Sequence, residues 1–114
     1  MTINEINEKL EWLFVEIVHV GDELSKAELS AGRVRAEYDI EKSRVLLLSA
    51  GSNADKREAE VRDKLHKGLL ETRIAEATVK AGRARQKSLS DALSALQSRS
   101  ANMRDEMNLT RTRT

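Results

Sequence analysis

The sequence predicts an all-α protein: a long antiparallel helical hairpin, coiled-coil-like, that assembles into a homo-oligomer. Three observations lead there. Apolar residues recur at heptad spacing through both halves of the chain. A single turn-like cluster, Gly51-Ser52-Asn53, separates the halves. The composition suits long helices, with no proline, about a third of residues charged, and only three aromatics, Trp12, Phe14 and Tyr38.

The first half fits a seam with alternating four- and three-residue steps. It runs Ile3, Ile6, Leu10, Leu13, Ile17, Val20, Leu24, Ala27, Ala31, Val34, Tyr38, Glu41, Val45 and Leu48, and only Glu41 breaks it. Sustained periodicity of this kind marks a helix that packs along one stripe. Helix 1 therefore spans about residues 3–50. Gly21 and Gly32 lie off the seam, and each costs roughly 1 kcal/mol against alanine. Gly21-Asp22 could break the segment into a short N-terminal helix and a long one, with Asp22 as the cap.

The turn covers residues 51–54. Gly51 suits the position just past a helix end, because it accepts the left-handed conformation. Asn53 can cap the next helix, and Asp55 suits its first turn. Helix 2 spans about 55–108. Its seam is Val61, Leu65, Gly68, Thr72, Ala75, Val79, Gly82, Gln86, Leu89, Leu93, Leu96, Ser100, Met103 and Met107. The middle of that seam is small or polar, which allows close approach of another helix or gives a bendable stretch. Residues 1–109 form one helical domain, and 110–114 read as a disordered tail. Unbroken, each helix would be roughly 60–80 Å long at its rise per residue. The short connection makes the two antiparallel.

Several apolar residues fall outside both seams. In WLFVEIVHV, residues 12–20, Trp12, Phe14, Val15 and Val18 point away from the stripe; further on, Leu46, Leu47, Leu70, Ile74 and Leu109 do the same. Helices apolar all round are normally buried. A lone hairpin cannot bury these side chains, so they predict a homo-oligomer, a dimer or larger. Trp12, Phe14, Val18, Leu46 and Leu47 are the candidate interface.

Function classes narrow quickly. Without cysteine there is no disulfide, thiolate metal site or thiol nucleophile. His19 and His66 stand apart with no ligand partner at helical spacing, and no phosphate loop, nucleophile elbow or zinc-protease motif occurs. The chain reads as a non-enzyme needing no metal or cofactor. The start lacks the features of a signal peptide, and no apolar run could span a bilayer, so a cytoplasmic protein with no membrane role is expected.

Charge is uneven. Residues 1–60 hold eight Lys/Arg and thirteen Asp/Glu, net −5; residues 61–114 hold twelve and six, net +6. That favours head-to-tail self-association or an anionic partner. Two basic clusters are candidates for nucleic acid. Lys42 and Arg44 flank the seam ahead of the leucine run. Lys80, Arg83 and Lys87 share a helical face, with Arg85 to one side. Each can equally be a solvated face. The first could pair with Glu37 and Glu41, and the second with a neighbour's acidic half. Trp12 and Tyr38 are the only side chains that could stack bases, though Tyr38 sits on the seam and Trp12 suits oligomer packing.

The stretch KSRVLLLSAG, residues 42–51, followed by a polar turn, a helix opening ADKREAEV and a final SLSDALSALQSRSANMRDEM, resembles the phage UvsY-type recombination mediators over roughly residues 24–107. The resemblance implies a ring-like homo-oligomer without catalytic activity. Such a protein binds single-stranded DNA and a recombinase in the host cytoplasm and helps that recombinase displace single-strand-binding protein. It also implies DNA binding by Lys42 and Arg44. The chain departs from the family in having Leu47 and Leu48 where an aromatic pair is usual, which removes base stacking there. The competing expectation is a helical oligomeric adaptor, or a phage-encoded inhibitor, acting by protein–protein binding alone.

Overall fold

In the computed structural model, which describes residues 1–48 and 54–113, the chain is two α-helices: α1, Ile3–Leu48, and α2, Ala54–Arg113. The fold is the all-α helical hairpin that the heptad spacing predicts. The predicted turn residues 51–53, with the caps proposed at Gly51 and Asn53, lie outside the described residues, as do the last two residues assigned to helix 1; Ala54, assigned to the turn, is the first residue of α2.

Thr2 starts α1. Its hydroxyl accepts a hydrogen bond from the Glu5 amide at 3.2 Å, and its carbonyl accepts one from Ile6 at 3.1 Å. The first bond satisfies an amide that a helix start leaves without an intrahelical partner, and the second is the first regular bond of the helix. Glu5 adds an acid in the first turn, where the helix dipole favours it.

The chain falls into two compact units: Met1–Glu23 with Gly82–Thr114, and Leu24–Ala81. Each pairs a stretch of α1 with an antiparallel stretch of α2. Every buried side chain among the described residues lies on a predicted seam. In the first unit these are Ile6, Leu13, Val20 and Ser100; in the second, Leu24, Val45, Leu65, Thr72 and Val79. Seam positions such as Ile17, Val34, Leu89 and Leu96 are half-buried. Burying a Leu or Val side chain contributes about 1.5–3 kcal/mol, so this narrow row supplies most of the apolar stabilisation of each unit.

Small seam residues in the second unit give close contact. A methyl group placed on Gly68 would lie 3.2 Å from Tyr38 Cδ2, so the glycine is the hole that the ring fills. One turn on, the buried Thr72 hydroxyl donates to the Gly68 carbonyl at 2.8 Å, which removes the penalty of an unpaired polar group. Ser100 in the first unit is different: its Oγ is buried and has no hydrogen-bond partner among the described residues.

The structure settles two points that the sequence left open and corrects two expectations. Gly21 does not break helix 1, and there is no separate N-terminal helix: α1 is continuous from Ile3 to Leu48. Val20 and Leu24, on either side of the glycine, are both buried, and this packing outweighs a propensity cost of about 1 kcal/mol. Gly82 likewise lies inside an unbroken α2. Residues 110–113 are helical rather than a disordered tail. They contain no breaker, and the Thr110 hydroxyl donates to the Glu106 carbonyl at 2.9 Å. Finally, Leu48 and Met107, at the seam ends, are exposed.

Candidate nucleic-acid interface

The two basic clusters fall in different units. Lys42, Arg44 and Lys80 belong to the Leu24–Ala81 unit; Arg83, Arg85 and Lys87 belong to the other. All six are exposed.

Val45 fixes the Lys42–Arg44 site, because it is buried and anchors the end of α1 against α2. Lys42 and Arg44 precede it by three residues and one, so they leave the helix on different sides. Arg44 pairs with Glu41 at 3.5 Å, the helical partner expected for it. Lys42 has no hydrogen bond or ion pair with another described residue. It lines an open groove between the two helices with Tyr38 and Leu46 of α1 and Glu58, Val61 and Arg62 of α2. A second groove runs beside it. Tyr38 lines that one too, together with Glu37, Glu41, Lys64 and Glu71.

The second cluster is answered partly within the chain. Residues 1–23 carry one Lys and six acids, net −5; residues 82–114 carry seven Lys/Arg and three acids, net +4. The hairpin folds these segments into one unit. Arg85 bonds Glu16 at 3.2 Å, with Glu16 only 22% exposed. One cation of the cluster, Arg85, therefore meets an acid of the chain's own N-terminal segment. Lys80 and Lys87 have no bonded partner among the described residues. Charge counted along the chain, rather than across the hairpin, does not reveal this pairing.

Arg62 is a further residue that the sequence did not single out. It belongs to no motif, and only its distance from the turn, matching that of Lys42, could have shown that the two line one groove.

The candidate interface residues are exposed in the single chain: Trp12 at 53%, Phe14 at 52%, Val18 at 65%, Leu46 at 42% and Leu47 at 77%. His19 lies 3.1 Å from Glu23 on the surface, as a solvated residue would. Among the described residues no group of His, Cys, Asp or Glu could hold a metal ion, and no helix is long and apolar enough to cross a membrane.

Comparison with protein families, with curated proteins and with solved structures finds no match to this chain.

Proposed function

We propose that this protein is a non-enzymatic recombination mediator that binds single-stranded DNA as a homo-oligomer, with a recombinase and a single-strand-binding protein as its protein partners. The observation that carries the reading is Lys42. It forms no ion pair with a described acid while the neighbouring Arg44 is paired, and it stands one turn ahead of the exposed Leu46–Leu48 run. One such cation binds a phosphate weakly. Copies joined through the leucines would repeat it, and each added phosphate contact raises affinity and steepens its salt dependence.

The oligomer has support of its own. Among the described residues, fourteen large hydrophobics are exposed and seven hydrophobic residues are buried, so an isolated chain leaves much apolar surface in water that a second copy could cover. The named partners rest on the resemblance of residues 42–51 and the helices around them.

The test is fluorescence anisotropy of a labelled single-stranded oligonucleotide from about 50 to 300 mM salt, beside a duplex. Preferential single-strand binding, weakened by Lys42→Ala and Arg44→Ala, supports the mediator. No binding at the lowest salt sinks it.

A second reading is a helical adaptor or phage-encoded inhibitor that works by protein contact alone. It is favoured by exposed Trp12, Phe14, Val15 and Val18, and by the internal pairing of Arg85, which takes a cation away from any polyanion.

A further inference from the structure

We infer that the groove holding Lys42 is a nucleotide-binding site completed from the other helix by Arg62, with Tyr38 as the surface on which an unpaired base rests. This rests on the single-stranded-DNA reading and adds two residues to it.

The argument begins with spacing. Tyr38, Lys42 and Leu46 stand four residues apart, so they form one stripe on α1. Val61 and Arg62 face that stripe from α2. The groove thus has a cation on each wall and apolar side chains between them. Neither cation is committed elsewhere: Arg62, like Lys42, has no hydrogen bond or ion pair with another described residue. A phosphodiester is a ligand suited to two cations that line one groove, and a guanidinium suits it by bidentate geometry.

Tyr38 supplies the rest. The ring is half-buried and seated against Gly68, so its position is fixed before any ligand arrives. Stacking on an aromatic face needs no particular base, which suits a sequence-independent single-strand binder. It also supplies a stacking surface four residues before Lys42, although the leucine run has none.

The neighbouring groove explains which way a strand would run. Tyr38 borders both, but the other is lined by Glu37, Glu41 and Glu71 against the single cation Lys64. Phosphate is repelled there and drawn to the Lys42–Arg62 side. Glu58 is the one carboxylate in the proposed site; it disfavours a second phosphate and can accept a hydrogen bond from an exocyclic amine of a base.

The experiment uses the full chain and a labelled single-stranded oligonucleotide. Arg62→Ala should weaken binding about tenfold, as expected for losing a charged hydrogen bond, and should lower the log–log salt slope by about 0.7 for each phosphate it no longer neutralises. Lys26→Ala removes the same charge from elsewhere in the same unit and should change neither. Tyr38→Leu should also weaken binding about tenfold through the absence of stacking, without altering the salt slope. Circular dichroism shows whether that variant keeps its helices; Arg62 is exposed, so its variant tests the site whatever Tyr38→Leu does. If Arg62→Ala binds like the wild type, or no worse than Lys26→Ala, the groove is refuted while the mediator reading stands. If the wild type itself does not bind, the mediator reading falls first and the groove with it.

Discussion

The contact between Gly68 and Tyr38 gives the sharpest test of the helix register, because two glycines in one unit should respond oppositely to the same substitution. Gly32 lies inside α1 with nothing within 4 Å of an added Cβ; Gly68 lies inside α2 with the Tyr38 ring 3.2 Å from one. Replacing a mid-helix glycine by alanine gains about 1 kcal/mol through backbone entropy. Gly32→Ala should keep all of it. At an unfolding entropy of about 2.1 cal/mol/K per residue, that raises Tm by about 4 °C for a chain of this length. At Gly68 the ring must withdraw by a few tenths of an ångström from a seam that holds it. Overpacking of this kind costs about 1–3 kcal/mol, so Gly68→Ala should be neutral at best and destabilising by up to about 2 kcal/mol. Urea and thermal unfolding followed by circular dichroism, at one fixed protein concentration, reads both variants. Combining Gly68→Ala with Tyr38→Leu should recover part of the helical gain. If Gly68→Ala stabilises as much as Gly32→Ala, Tyr38 is not seated on Gly68. The pairing of α1 with α2 in this unit would then be wrong.

Other outcomes follow from the burial pattern. Leu13→Ala should cost about 2–5 kcal/mol, because Leu13 is 2% exposed, whereas its half-exposed neighbour Phe14 should tolerate Phe14→Ser with little loss of helix stability but with a shift toward smaller species in sedimentation velocity. Ser100→Ala should stabilise by about 1–2 kcal/mol in urea melts, since it removes a buried hydroxyl lacking a described partner and adds helix propensity. Arg85→Gln should cost less than about 1 kcal/mol in low salt and almost nothing at high salt. Arg85 is 62% exposed, and solvent screens most of its attraction to Glu16.

The fold was largely legible because helix packing leaves a period in the sequence. The seam positions that deviate from apolar bulk kept their places for physical reasons: Gly68 makes room for a ring, and Thr72 satisfies its hydroxyl on its own helix. Gly21 left the continuity of helix 1 open because propensity is local and weak, while the burial of Val20 and Leu24 that decides it is tertiary. The candidate site was half legible. Lys42 and Arg44 stand out beside an apolar run, yet spacing along one helix cannot say that Arg44 is paired to Glu41 and Lys42 is not. Nor can it say that Arg62, twenty residues away, lines the groove of Lys42. Cross-helix neighbours are fixed by the turn, and charge counted along the chain hides them.

Two ion pairs between the helices also carry a kinetic meaning. Arg35 to Glu76 spans 41 residues, and Glu16 to Arg85 spans 69. Loop-closure entropy rises with the logarithm of that span, so from an unfolded chain the second closure is dearer by about 0.5 kcal/mol. The bias is small but always in the same direction. Helix pairing should start near the connection and travel toward the termini. A native-state hydrogen-exchange experiment should find the amides around Val45 and Leu65 opening last, and those around Ile6 and Ser100 opening first.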